Sequence, residues 1–93
     1  MFQKIHMEKV SSRDFAAIAE GRRRIYFVRR LASYTVGDHI RCHEYHESDG
    51  QPAFWTGRTV EVEVTQILRH ALPVSRSLMA LAIRVVDNPR HSS

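Results

Sequence analysis

The sequence predicts a mostly β fold, a small closed or nearly closed barrel of about five strands with one short helix after the first strand. Apolar and polar residues alternate along several short segments, which is the period of a half-buried strand, and one segment shows the period of a helix. Connections are short, and no strand–helix–strand rhythm recurs. The 93 residues suffice for one core, so we expect a single domain over residues 1–87 and a flexible tail over residues 88–93.

The chain opens with a strand and a helix. Residues 2–10 alternate loosely, and the segment SSRDFAAIAEG then changes period. Ser11 is placed to cap a helix over residues 12–20, with Asp14 three residues later in a capping-box-like pair. Gly21 supplies the left-handed residue that commonly ends a helix. The apolar face of this helix holds Phe15, Ile18 and Ala19.

The second predicted strand, residues 24–29, carries part of the arginine-rich run EGRRRIYFVRR. Its alternation places Ile25 and Phe27 on one face and Tyr26 on the other, together with Arg24. Tyr26 is therefore expected on the face that the arginines share.

Three further strands are predicted, over residues 39–46, 58–68 and 78–87. A VGD turn precedes the first of them, an acidic hairpin loop ESDGQPA follows it, and a loop over residues 69–77 precedes the last. The segment RTVEVEVTQIL has the alternation of a half-buried antiparallel strand. Its apolar face is expected to hold Val60, Val62 and Val64.

The charge of the chain favours an anionic partner. The net charge is +4, and only two of the fourteen basic residues, Lys4 and Lys9, are lysines. Arginine is suited to bidentate phosphate contacts and to stacking on bases, because its guanidinium is planar and weakly hydrated. No apolar run approaches the length of a membrane span, and no signal-peptide core is visible. A cytoplasmic protein without a membrane partner is expected.

Metal and disulfide sites are not expected. Cys42 is the only cysteine, which excludes an intrachain disulfide and favours an inert core thiol. The trio His39, His43 and His46 resembles a metal cluster. An extended strand, however, separates the first two by about 13 Å and turns the third to the opposite face. We predict no metal and no cofactor, and we expect Asp38 to cap its own turn.

The order of motifs resembles a known family. The sequence contains IHMEKV, a helix ending in EGRRR, YTVGDHI, HEY, an acidic hairpin, WTGRTVEVEVTQIL and a closing apolar strand. This order resembles the ASCH branch of the PUA-like superfamily, closest to its short bacterial and phage proteins without an assigned function. The resemblance covers residues 5–86. It implies a PUA-like pseudo-barrel with a cleft beside the helix, in a superfamily whose members bind RNA or read modified bases. A few of those members hydrolyse modified nucleosides.

The chain departs from that branch where its hydrolases carry out catalysis. Relatives usually have a lysine two places after the helix-ending glycine, then an acidic or threonine residue and an arginine on the strand. Those positions hold Arg23, Tyr26 and Val28 here. In the amidohydrolases of the family the lysine and the threonine look catalytic, with the lysine as the base and the threonine as the nucleophile. Arg23 does not readily lose its proton, and Tyr26 is a poor substitute for threonine, so the resemblance implies a cleft without this chemistry.

The main candidate binding residues surround the second strand. Arg22, Arg23 and Arg24 follow the helix end, where they either complement the helix dipole or contact phosphates. Arg29 returns positive charge at the far end of the strand, and Tyr26, between them, is expected to contact a base.

Three further candidates lie elsewhere. Trp55 is either a stacking platform or the cross-strand partner of Tyr45. Arg58, in the TGR motif, either enters the cleft or braces the neighbouring loop, and Gly57 provides a bulge. His6 either faces the cleft, where it hydrogen-bonds a base, or satisfies a buried backbone group.

The leading hypothesis is a non-catalytic domain that binds RNA or a nucleotide. Two alternatives remain open. One is a small hydrolase of modified nucleosides. The other is a module whose exposed strand and acidic hairpin dock a protein, in a phage or mobile-element setting. In the leading hypothesis the residues that meet phosphates are Arg22, Arg23, Arg24, Arg29 and Arg58.

Overall fold

Strands dominate the architecture, with one short helix after the first strand, as predicted. The structure is a computed structural model that describes residues 4–29, 33–68 and 78–91, and only the backbone of residues 87–91. Within these ranges the elements in chain order are β1 (Ile5–Ser11), α1 (Ser12–Ala19), β2 (Ile25–Arg29), β3 (His39–His46), β4 (Phe54–Leu68) and β5 (Leu78–His91).

The strands form one curled sheet that closes about half of a barrel. Their order is β1-β3-β4-β5-β2, with β1 parallel to β3 and the other pairs antiparallel. The two edge strands, β1 and β2, approach each other across the open side, where the Tyr26 hydroxyl donates a hydrogen bond to the Glu8 carboxylate at 3.3 Å. The predicted five-stranded pseudo-barrel is thereby confirmed.

The core lies on the concave side of this sheet. Val60 and Val62 of β4 pair with Cys42 and Ile40 of β3. The helix contributes Phe15 and Ile18, and all of these residues are buried. Burial raises the pKa of the Cys42 thiol to about 12, as expected for an inert core cysteine. The predicted apolar face of β4 is confirmed for Val60, Val62 and Val64.

The ends of the helix follow the sequence signals. The Ser11 hydroxyl accepts a hydrogen bond from the Asp14 backbone N–H at 3.2 Å, so Ser11 is the N-cap. Gly21 has a φ of +77°, the left-handed conformation that ends the helix. Within the described ranges, no helix has the length and apolarity that a membrane crossing requires.

The orientation of β2 differs from the prediction. Tyr26 and Val28 face the core, whereas Ile25 and Phe27 are exposed. Both faces of this strand carry apolar residues, so the alternation identifies a strand without deciding which face is inside. The Glu8 carboxylate decides it, because it accepts the Tyr26 hydroxyl and lets that ring enter the core with its polar end satisfied.

The last two strands are longer than predicted. β4 starts at Phe54 instead of residue 58, because a bulge keeps its first residues paired with β3. Gly57, with a φ of +87°, lies in that bulge as expected. β5 continues to His91, four residues beyond its predicted end. The predicted loop over residues 69–77 lies outside the described residues.

Candidate functional site

A cleft lined by arginines lies beside the C-terminal end of α1. It is an open depression of about 440 Å³ between the chain that follows the helix and strands β4 and β5. We call it the arginine cleft. Among the described residues its lining holds three arginines and no carboxylate, and its polar or small members are Gly21, Arg23, Arg24, Thr65 and Arg84.

Gly21 directs the arginine run out of the helix and toward the cleft. Its N–H donates to the Ile18 carbonyl at 3.0 Å, and the N–H groups of Arg22 and Arg23 both donate to the Ala17 carbonyl at 3.0 Å. These bonds satisfy carbonyls of the last turn while the left-handed glycine reverses the chain. The reversal brings Arg23 and the next residue to the rim of the depression.

Two of the arginines in the run have local acidic partners. Arg23 donates from Nη1 to Asp14 at 2.8 Å and from Nε to the Ile25 carbonyl at 3.2 Å, so its guanidinium is held in place. Arg22 donates to Glu20 at 2.8 Å, and both side chains of that pair are exposed. Ion pairs of this kind contribute little to stability because water screens them. Arg22 does not line the cleft.

Arg24 and Arg84 complete the basic lining. Arg24 is exposed and forms no ion pair within the described residues, while its carbonyl accepts the Ile83 N–H at 2.9 Å. Arg84 reaches the cleft from β5 and pairs with Glu63 of β4. Sequence reasoning missed Arg84. The available signal was its position as a lone cation in the apolar final strand.

This arrangement can hold an anion. Guanidinium N–H groups form charge-assisted hydrogen bonds with phosphate oxygens, and the exposed Arg84–Glu63 pair is weak enough to be exchanged for such a contact. The described lining also contains the Thr65 hydroxyl, which donates to the Ala82 carbonyl at 3.3 Å. The lining is therefore suited to binding phosphate.

The other predicted arginines lie away from the cleft. Arg29 is exposed at the far end of β2, about 16 Å along the strand from Arg24. Arg58 lies against the helix, with its guanidinium carbon 4.8 Å from the centre of the Phe15 ring. Its Nη1 is 3.6 Å from the Glu44 carboxylate. Of the two predicted roles for Arg58, this position favours bracing.

Glu44 is a buried carboxylate that sequence reasoning missed. Only 6% of it is exposed, and it accepts the Thr56 hydroxyl at 2.6 Å. Burial opposes its ionisation, but hydrogen bonds from Thr56 and Ser12 and the charge of Arg58 lower its pKa. This network ties the start of α1 to β3 and β4.

Tyr26 does not lie on the arginine face. Only 9% of it is exposed, and its hydroxyl donates to Glu8. Burial, followed by the charge of Glu8, raises the pKa of Tyr26. The expectation that Tyr26 shares the arginine face and points away from the core is wrong, because its side chain packs in the core cluster.

Trp55 lies on the opposite side of the sheet from the core and outside the arginine cleft. It pairs with Tyr45 across β3 and β4, with ring centres 4.7 Å apart and planes at 60°. The cross-strand pair is therefore confirmed. The indole nevertheless remains 57% exposed.

His6 points into the fold. Its Nε2 lies 2.8 Å from the Asp38 carboxylate, and its ring stacks on Tyr34 at 4.1 Å. The partner of His6 is thus a carboxylate and not the predicted backbone group. Asp38 also accepts the backbone N–H groups of Thr35 and Lys4, which confirms that it caps its own turn.

The three histidines of β3 have separate surroundings. His39 Nδ1 lies 2.6 Å from Glu61, and His46 Nδ1 lies 3.0 Å from the Ser12 hydroxyl. His43 contacts the Trp55 ring edge-on. Among the described residues, no group of three or more histidine, cysteine or acidic side chains is arranged to hold a metal ion.

Comparison with known proteins relates the chain to a protein family and to a phage protein. A family model described as "Domain of unknown function (DUF3850)" matches residues 5–83. The chain is also 31% identical over 67 residues to a protein of Escherichia phage P2 that is described as an uncharacterized 12.9 kDa protein in the GpA 3' region. The alignment covers 72% of the chain and 57% of the phage protein. The chain thus spans little more than half the length of that relative.

Proposed function

The chain belongs to the DUF3850 family, and we propose that it is a non-catalytic domain that binds RNA or a nucleotide through the arginine cleft. The observation that carries the proposal is a depression lined by Arg23, Arg24 and Arg84, with no carboxylate in the part of its lining that the structure describes. The net charge of +4 supports it, because an overall positive field attracts a polyanion.

The proposal includes a wider kinship. We infer that the family is a branch of the PUA-like superfamily, close to the ASCH proteins, and that the protein acts in the cytoplasm. Support comes from the half-barrel sheet, the helix after the first strand and the cleft beside that helix. The phage relative is compatible with this inference, since phage proteins are among those that the sequence resembles.

A hydrolase of modified nucleosides is the weaker alternative. In the catalytic relatives a lysine and a threonine stand where this chain has Arg23 and Tyr26. Arg23 is held in an ion pair with Asp14, and Tyr26 is buried against Glu8 with a raised pKa. Neither side chain is available as a base or a nucleophile at the cleft.

The proposal is tested by measuring how two double variants bind a short fluorescent single-stranded RNA by anisotropy. Arg24→Gln with Arg84→Gln removes two cations from the cleft. Arg13→Gln with Arg41→Gln is a matched control outside it. Each double variant removes one exposed arginine and one arginine paired with a glutamate of β4, Glu63 or Glu61.

The cleft variant is expected to bind at least about tenfold more weakly than the control, because it loses charge-assisted bonds to phosphate. Equal losses in the two variants would show that the cleft is not the binding site. If the unmodified protein binds no RNA or nucleotide, the proposal fails. The alternative of a protein-docking module then takes its place.

A further inference from the structure

The convex face of β1, β3 and β4 carries an aromatic surface that the proposed function does not use. It surrounds an open depression of about 420 Å³, a size typical of small-molecule sites. Glu8 also lines this depression, but its carboxylate accepts the Tyr26 hydroxyl. We define the aromatic shelf as Met7, Lys9, His43, Tyr45 and Trp55.

The indole of Trp55 is held in place by neighbouring rings and is still exposed to solvent. Tyr45 contacts it at 4.7 Å between ring centres, and His43 meets it edge-on at 6.3 Å with planes at 85°. These contacts restrict the ring, yet 57% of the residue stays exposed. A large aromatic side chain held in this way is a ready platform for another flat ring.

A cation lies next to the platform. The Lys9 ammonium is 4.8 Å from the centre of the Tyr45 ring and forms no ion pair within the described residues. A nucleotide carries a flat ring and an adjoining negative phosphate. The exposed indole and the neighbouring ammonium match those two parts in chemistry and charge.

His43 adds a third feature. Its ring lines the depression, and its Nε2 atom is buried without a hydrogen-bond partner in the described part of the chain. A buried polar atom without a partner lowers stability. Because Nε2 is closed to solvent, His43 contributes by holding the indole from one side and not by bonding to an incoming base.

The surroundings of the shelf favour a nucleic acid over a protein partner. Met7 and Ile5 on β1 are exposed, but the residues that pair with them on β3 are Arg41 and His39. Polar and cationic groups therefore interrupt the apolar surface. Cations beside exposed aromatic rings match a polyanion, whose phosphates they attract.

We propose that the aromatic shelf stacks one unpaired nucleobase on Trp55, with Lys9 at the adjoining phosphate. The nucleic acid is then single-stranded where it crosses this face. The inference rests on the proposed function for the presence of a nucleic acid and specifies its class.

The first test uses Trp55 itself, because it is the only tryptophan in the chain. Addition of a short single-stranded oligouridylate to the unmodified protein is expected to quench the tryptophan emission. A duplex RNA of the same length is expected to leave the emission unchanged, because its bases are already paired and stacked. Equal quenching by both, or none by either, would overturn the inference.

The second test compares two variants by RNA anisotropy. Trp55→Leu is expected to weaken single-stranded RNA binding roughly 5- to 150-fold, because stacking one base contributes about 1–3 kcal/mol. Phe54→Leu is the matched control, because Phe54 is similarly exposed, at 53%, and lies next to Trp55 on the other side of the strand. Circular dichroism verifies that both variants are folded.

The outcomes separate the two proposals. If Trp55→Leu binds as Phe54→Leu does while the cleft variant is weakened, the shelf is refuted and the arginine cleft stands. If Trp55→Leu binds RNA more weakly than Phe54→Leu, and the cleft variant binds RNA as tightly as its own control, the shelf stands and the cleft is refuted. If no RNA binds, both proposals are refuted.

Discussion

Glu44 illustrates how a single buried charge is accommodated in this fold. Its carboxylate accepts the Thr56 hydroxyl and faces Arg58. Replacing Glu44 with alanine leaves those groups without their acceptor, so we expect the free energy of unfolding to fall by about 1–3 kcal/mol. Urea denaturation measures the change. Glu47→Ala, at an exposed position in the hairpin, is the control and should change stability by less than about 0.5 kcal/mol. Equal effects would contradict the account of Glu44.

Asp38 predicts a dependence of stability on pH. Burial opposes its ionisation, but hydrogen bonds from His6, Thr35 and Lys4 hold the pKa of its carboxyl below the ordinary 3.8. A lowered folded-state pKa stabilises the fold fully above the ordinary value, and this contribution is lost as the pH falls through the folded-state pKa.

At about pH 7 the unmodified protein should therefore have a higher urea midpoint than Asp38→Asn. The difference should shrink at about pH 3. Chemical denaturation at the two pH values measures it. A difference that stays the same, or grows on acidification, would show that the Asp38 carboxylate does not stabilise the fold in its charged form.

At the residue scale, sequence predicts local roles better than orientation. The Asp38 turn and the buried Cys42 follow from short-range patterns, and the structure confirms both. Tyr26 was placed on the wrong face because its burial depends on Glu8, eighteen residues away. Arg84 was missed because the pairing of β5 with β2 and β4 brings it to the cleft, and that register is not visible in the sequence.

At the element scale, the end of α1 sets the positions of the cleft arginines. Gly21 has a φ of +77°, and among the described residues other than its two chain neighbours no heavy atom lies within 4 Å of where a Cβ would be. The cost of a side chain there is therefore conformational, so Gly21→Ala should lower stability by about 1–2 kcal/mol. Gly21→Asn should cost less, because asparagine adopts this conformation more readily. Thermal denaturation compares them. If alanine and asparagine cost the same, the left-handed turn is not the cause.

Strand bounds follow the sequence where alternation is unbroken. The predicted and observed limits of β3 are identical, residues 39–46, and its neighbour β4 buries the predicted valines. The start of β4 was predicted four residues late, because the bulge at Gly57 interrupts the alternation that reveals a strand. Periodicity therefore locates strands but not the irregular pairings that extend them.

At the scale of the whole molecule, the order of the strands could not be predicted from the sequence. The order β1-β3-β4-β5-β2 places the first and second strands at opposite edges and pairs β1 with β3 in parallel. Such pairings join residues far apart in the chain and depend on the packing of the entire core. The half-barrel class was predictable from composition and period, whereas the residues that share a surface were only partly so.

The proposed function includes no catalysis at the arginine cleft. The arginine cleft holds no free base or nucleophile in its described lining, since Arg23 is paired with Asp14 and the Thr65 hydroxyl donates to a carbonyl. We expect no release of acetate when the purified protein is incubated with acetylated cytidine, as followed by chromatography. Turnover that disappears in Arg23→Gln would establish the hydrolase alternative instead.

The most direct test of the central claim is the salt dependence of RNA binding. For a single strand, the logarithm of the binding constant falls with the logarithm of salt concentration by about 0.7 per neutralised phosphate. If the cleft arginines contact two phosphates, Arg24→Gln with Arg84→Gln should make this slope shallower by about 1.4, and the control Arg13→Gln with Arg41→Gln should change it less. A slope in the cleft variant equal to that of the unmodified protein would contradict the claim that the arginine cleft binds phosphate.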